Sequence, residues 1–113
     1  MIPHMDNLFS RASLGLVRVA AASPELRVAD VTFNTQKMIE AMRLAREQGV
    51  SLLTFPELGI TGYTCGDLFR QSILLEAALH ALDGICEAST DEGIAVVVGI
   101  PIMVDGRLFN CAA

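Results

Sequence analysis

The stretch VSLLTFPELGITGY (residues 50–63) decides the fold. Its first six residues form a short apolar run stopped by Pro56, the pattern of a strand buried on both faces of a sheet. Glu57 follows immediately, a single carboxylate between that run and the glycines Gly59 and Gly62. A carboxylate just past the C-terminal end of a parallel strand lies where open α/β sheets place their ligand crevices. The neighbours Phe55, Leu58 and Ile60 would disfavour its ionised form, which suits a general base or proton shuttle working near neutrality. A loop carboxylate that accepts backbone N–H bonds or caps a short helix has the same spacing, and the pattern leaves both readings open.

Upstream, LGLVRVAAA (14–22) reads as a strand, and SPELRVAD (23–30) leads through a Pro-containing turn to a helix capped by Asp30 or Asn34. Val31, Met38, Met42 and Ala45 share one helical face, with Lys37, Arg43 and Arg46 elsewhere and Gly49 as the stop. Downstream, Leu75, Ala78, Leu79, Leu82, Ile85 and Cys86 mark a second helix, and IAVVVGI (94–100) repeats the buried-strand pattern. These elements make the beginning of a parallel βαβαβ unit. Asp105-Gly106 then signals a two-residue hairpin, because both residues tolerate positive φ. The next strand, RLFNCAA (107–113), is therefore antiparallel. It ends without a polar tail or cap and would leave an apolar edge, so the chain is expected to stop in mid-domain. The expected class is α/β, with two main helices on a mixed sheet. Residues 1–13 are expected to be a flexible leader and residues 14–113 one unit, since no linker, repeat or low-complexity tract divides them.

Composition narrows the functional classes. With 113 residues and 52% hydrophobic content the chain has enough apolar material for one globular unit, which excludes disorder. A net charge of −5 without any run of Lys or Arg argues against nucleic acid and membrane surfaces as partners. The leader MIPHMDNLFSR carries Asp6 and Arg11 and lacks the apolar core of a secretory signal, and no later segment reaches the length of a membrane span. A cytoplasmic location is expected. Cys65, Cys86 and Cys111 are odd in number and contain no CxxC pair, so neither a disulfide framework nor a metal site is expected.

Other candidate groups have weaker claims. Gly59 and Gly62 read as turn-formers, and no GxGxxG, P-loop lysine or GxSxG supports phosphate cradling or serine chemistry. Tyr63, the single tyrosine, either points its hydroxyl into the crevice or packs its ring beneath the loop. Cys65 has no nearby histidine or positive charge to activate it, and Cys86 and Cys111 read as core. His4 and His80 read as solvent-exposed.

The segment FPELGITGY resembles the glutamate motif of the nitrilase, or carbon-nitrogen hydrolase, superfamily. With VRVAAASPELRVAD, the Phe33-Asn34 pair, FPELGITGYTCGDLF, VVVGIPI and LFNCA, the resemblance is closer to one branch, the N-terminal glutaminase domain of glutamine-dependent NAD synthetases. It runs from Val17 to Ala112 and covers less than half of a nitrilase domain. It implies the N-terminal part of an α-β-β-α sandwich, with Glu57 as the general base of a Glu-Lys-Cys triad and Tyr63 near the glutamine pocket. The triad lysine and cysteine are expected past Ala113. Lys37, the single lysine, stands on the first helix, and none of the three cysteines matches the nucleophile's motif. The resemblance further implies glutamine as substrate. An uncovered sheet face and an unpaired strand at residues 108–113 would favour association, so a homo-oligomer is expected. Nicotinic acid adenine dinucleotide, ATP and Mg would belong to a synthetase domain outside this chain, leaving no cofactor here. The chain alone is expected to be inactive. The alternatives are part of a stand-alone nitrilase-type amidase or carbamoylase, and a non-enzymatic interaction module.

Overall fold

The structure is a computed structural model that describes residues 10–113; His4 and most of the expected leader lie outside the described residues. The elements follow in the order β1 (Val19–Ala21), α1 (Val31–Glu47), β2 (Leu52–Thr54), a 3-10 turn (Gly66–Arg70), α2 (Ser72–Glu92), β3 (Ala95–Val97), β4 (Gly99–Val104) and β5 (Arg107–Ala112). Strands β1, β2 and β3 form a parallel sheet in that order, and β4 pairs with β5 in an antiparallel hairpin.

Helix α1 begins where Asp30 Oδ1 accepts the amide of Phe33 at 3.1 Å, which satisfies one of the orphan donors of the first turn. Asn34, the alternative cap, is instead a fully buried residue inside the helix. Gly49, at φ 74°, turns the chain out of α1 toward β2. Helix α2 ends the same way at Gly93, φ 63°. Met38, Met42 and Ala45 from α1 meet Ala78 and Ile85 from α2 over Leu53 of the central strand. Each large apolar side chain fully buried in this way contributes about 1.5–3 kcal/mol.

The sheet is covered on one face. The register Ala20–Leu53–Val96 runs across it on the helical side, and all three residues pack in or against the core. The next register, Val19–Leu52–Ala95, faces the other way, with Val19 62% and Leu52 40% exposed. The expectation that residues 50–55 are buried on both faces is therefore not met: both helices lie on the same side, and nothing among the described residues packs on the opposite one.

Three further differences have local causes. The first strand is confined to Val19–Ala21, because residues 10–15 close a turn in which Ser10 Oγ accepts the amide of Ser13 and Gly15 takes φ 68°. The run 94–100 is two strands, since Val98 leaves the β2 ladder and exchanges two backbone hydrogen bonds with Ala113, at 3.0 and 2.9 Å. Cys86 and Leu79, assigned to the apolar stripe of α2, are exposed; the buried arc is centred on Leu74, Leu75, Ala78 and Ile85. The hairpin forms as expected, with Asp105 at φ 49° and Gly106 at φ 72°.

Candidate active site

The loop bearing Glu57 is built by the ends of two strands. Phe55 extends the β2–β3 ladder by one residue, its amide donating to Val97 O at 2.9 Å. Pro56 has no N–H to continue the ladder and so ends it. The chain then coils, with Gly59 N donating to Pro56 O at 3.0 Å and Thr61 N to Leu58 O at 3.2 Å. Leu58 holds φ 52°, a left-handed conformation that costs a non-glycine residue about 1–2 kcal/mol. That reversal sends Leu58 into the interior while Glu57 points outward.

Phe55, Leu58 and Ile60 thus do not wrap the carboxylate as the sequence suggested. They are 7%, 8% and 0% exposed within the interior, whereas Glu57 is exposed. It stands at a cleft of ≈ 370 Å³ lined also by Thr54, Pro56, Val97, Gly99 and Asn110. Asn110, on β5, donates from Nδ2 to Glu57 Oε1. The carboxylate is therefore a fixed and accessible acceptor at the C-terminal ends of β2 and β3, where α/β sheets place ligands.

Two residues that sequence reasoning did not assign hold this loop. Asn34 is 0% exposed and bonds in three directions: Nδ2 donates to Ile60 O at 3.1 Å and to Arg27 O at 2.8 Å, while Oδ1 accepts Arg27 N at 2.7 Å. It ties the Glu57 loop and the segment before α1 to the helix. Gly99 brings β4 against the loop from the other side, its carbonyl accepting Ile60 N at 3.3 Å. The signal for Gly99 is in the sequence: a glycine inside an apolar strand run marks close backbone approach.

The other candidates separate from Glu57. Tyr63 is 64% exposed and does not line the cleft, so its ring does not pack beneath the loop. Cys65 is buried with Sγ 3.2 Å from Thr61 O and 3.4 Å from Gly62 O, where it braces the turn. Cys111 is the exception: half-buried against the core, it also contributes to the lining of the cleft at Glu57. Lys37 pairs with Glu40 at 3.3 Å on α1. Among the described residues, no three His, Cys, Asp or Glu side chains are grouped to hold a metal ion, and no helix is long and apolar enough to cross a membrane.

Comparison with known proteins supplies the family. The model of the family described as carbon-nitrogen hydrolase matches residues 16–113. The chain belongs to the carbon-nitrogen hydrolase family. It is 33% identical over 106 residues to the glutamine-dependent NAD(+) synthetase of Mycobacterium leprae (strain TN), covering 94% of this chain and 16% of that protein. The Rattus norvegicus glutamine-dependent NAD(+) synthetase is 30% identical over 84% of this chain and 13% of its own length. The chain thus spans about one sixth or less of these relatives. Among solved structures, a glutamine-dependent NAD(+) synthetase from Cytophaga hutchinsonii superposes with a TM-score of 0.80 at 31% identity, over 85% of this chain and 16% of that one. An amidase from Nesterenkonia sp. superposes with a TM-score of 0.68 at 30% identity, over 75% and 32% respectively. The α/β architecture read from the sequence is therefore that of the carbon-nitrogen hydrolase family, and the chain is homologous both to glutamine-dependent NAD synthetases and to amidases of the nitrilase superfamily.

Proposed function

We propose that this chain contributes the general base to the glutamine-hydrolysing site of a glutamine-dependent NAD synthetase. The observation that carries the reading is Glu57, held outward at the end of the parallel strands in a cleft and fixed there by Asn110. Its support from relatives is the 33% identity to a protein of that name over 94% of the chain. In the reaction, Glu57 accepts the proton of a cysteine thiol supplied by the rest of the protein, and the sulfur attacks the amide carbon of glutamine. A lysine, also from the remainder, steadies the oxyanion. The C–N bond breaks as Glu57 returns the proton to the leaving nitrogen, which departs as ammonia, and water hydrolyses the thioester to glutamate. Tyr63, exposed and outside the lining of the Glu57 cleft, is assigned to the part of the glutamine pocket that the remainder of the protein completes. ATP, Mg and nicotinic acid adenine dinucleotide are assigned to the remainder of the protein. Since it lacks the cysteine and lysine of the triad, the chain by itself forms no thioester and is inactive. The reading includes a cytoplasmic homo-oligomer.

The test is the Glu57→Gln variant of the full-length protein, which keeps the shape and removes the proton acceptor. Glutamine-driven NAD formation falls about a hundredfold or more, and NAD formation from free ammonia survives. Equal loss of both activities would make Glu57 structural. A second reading, part of an amidase acting without ATP, is favoured by the Nesterenkonia likeness. Amide hydrolysis by the full-length protein with no NAD formed under either nitrogen source would establish it.

A further inference from the structure

The hairpin delivers one polar side chain to Glu57. Asn110 sits opposite Pro101 in the β4–β5 register, and Gly99 lies opposite Ala112. The Asp105-Gly106 turn fixes that register. A slip of one residue would turn the whole strand over and present Cys111 or Phe109 where Asn110 now stands. Gly99, at the other end of β4, brings the hairpin into backbone contact with the loop that carries Glu57. Both members of the Asn110–Glu57 pair are exposed, so the bond between them adds little to folding. Its consequence is geometric. A neutral amide donor holds one carboxylate oxygen without bringing a compensating charge, and it leaves the second oxygen unoccupied.

We infer that Asn110 is a positioning residue for Glu57: its amide fixes Oε1 and so aims Oε2, which takes up the proton and returns it. The inference rests on the reading of Glu57 as the general base. A catalytic group displaced by about 1 Å can lose on the order of a hundredfold in rate. The effect falls on kcat for glutamine more than on KM, since the amide orients the base and does not hold the substrate.

The test uses the full-length protein with three variants, Glu57→Gln, Asn110→Ala and Asn110→Asp, each measured with glutamine and with free ammonia. Asn110→Ala lowers the glutamine-driven kcat about tenfold or more, with KM nearly unchanged and the ammonia-driven rate intact. Asn110→Asp preserves the shape but sets two carboxylates face to face, which repel when both are ionised. Its glutamine-driven kcat therefore falls further than that of Asn110→Ala, again with KM nearly unchanged. Unchanged glutamine-driven kcat in both Asn110 variants beside an inert Glu57→Gln would overturn this inference alone. So would a parallel loss of the ammonia-driven rate, or a loss that falls on KM rather than on kcat. Full glutamine-driven activity in Glu57→Gln would overturn the base assignment and this inference with it.

Discussion

Gly99 lies against Leu58 so closely that a Cβ placed on it would stand 2.2 Å from the Leu58 amide nitrogen, with Glu57 C and Pro56 O both at 2.9 Å. The groups it would meet are backbone, not the movable end of a side chain. The position of the Glu57 loop is thus set by the absence of an atom on the neighbouring strand.

Gly99→Ala consequently forces either β4 or the loop to move. Overpacking of this kind costs about 1–3 kcal/mol, and the moving part carries the carboxylate. In the full-length protein, the temperature at which glutamine-driven activity disappears falls by several degrees, and the residual rate with glutamine drops while that with ammonia holds. Gly84→Ala is the control: its Cβ on α2 meets no atom within 4 Å, and alanine is favoured over glycine in a helix by about 0.5–1 kcal/mol. An unchanged thermal profile in Gly99→Ala would mean that the approach is looser than the geometry describes.

Asn34→Leu is expected to damage the same loop from beneath. It fills much of the space of the amide but leaves Arg27 N and Ile60 O without a partner, while Arg27 O keeps only the Asp30 amide at 3.3 Å. Each buried polar group so orphaned costs about 1–3 kcal/mol. Asn34→Asp keeps the acceptor for Arg27 N but turns a buried carboxyl oxygen toward the two acceptors Arg27 O and Ile60 O, and so damages the loop at least as much. Hydrogen exchange checks this directly: the amides of Arg27 and Ala29 lose protection in Asn34→Leu, since Ala29 N is held by Thr61 O at 2.7 Å in the loop that Asn34 anchors. Retained protection at both amides would show that the loop does not depend on this side chain.

These two residues also mark where the sequence stops being legible. Periodicity locates both helices, because Met38, Met42 and Ala45 recur at helical spacing whatever surrounds them. The hairpin is readable from Asp105-Gly106 because its backbone demand is local. Glu57 is readable as a site candidate because strand, proline and carboxylate are adjacent in the chain. Its exposure is not readable, since it depends on the left-handed turn at Leu58, a conformation that leucine itself does not favour. Nor are the partners of the loop: Asn34 and Asn110 are far from Glu57 in sequence and reach it only once the sheet has assembled, and Gly99 signals a close approach without saying what it approaches. The run 94–100 reads as one strand because apolar character does not say which neighbour each residue pairs with, and the break at Val98 is a matter of pairing.

The uncovered face of the parallel sheet leads to the last expectation. Val19 and Leu52 stand side by side in register, 62% and 40% exposed, and Ala21, Thr54 and Ala95 complete the surface around them. Apart from this face, Leu108 and Phe109 are 43% and 46% exposed on β5, which has a free edge among the described residues. Contiguous apolar surface and an unpaired strand edge both favour association. The 113-residue chain is therefore expected to sediment as a dimer or larger species at micromolar concentration. Leu52→Ser removes apolar area from the centre of the face while leaving Leu53 and the helical core in place, and should shift the equilibrium toward monomer. An association unaffected by Leu52→Ser would assign the contact to the β5 edge. A monomer that unfolds cooperatively would show that the helical layer alone is enough to stabilise the sheet, with its second face open to water.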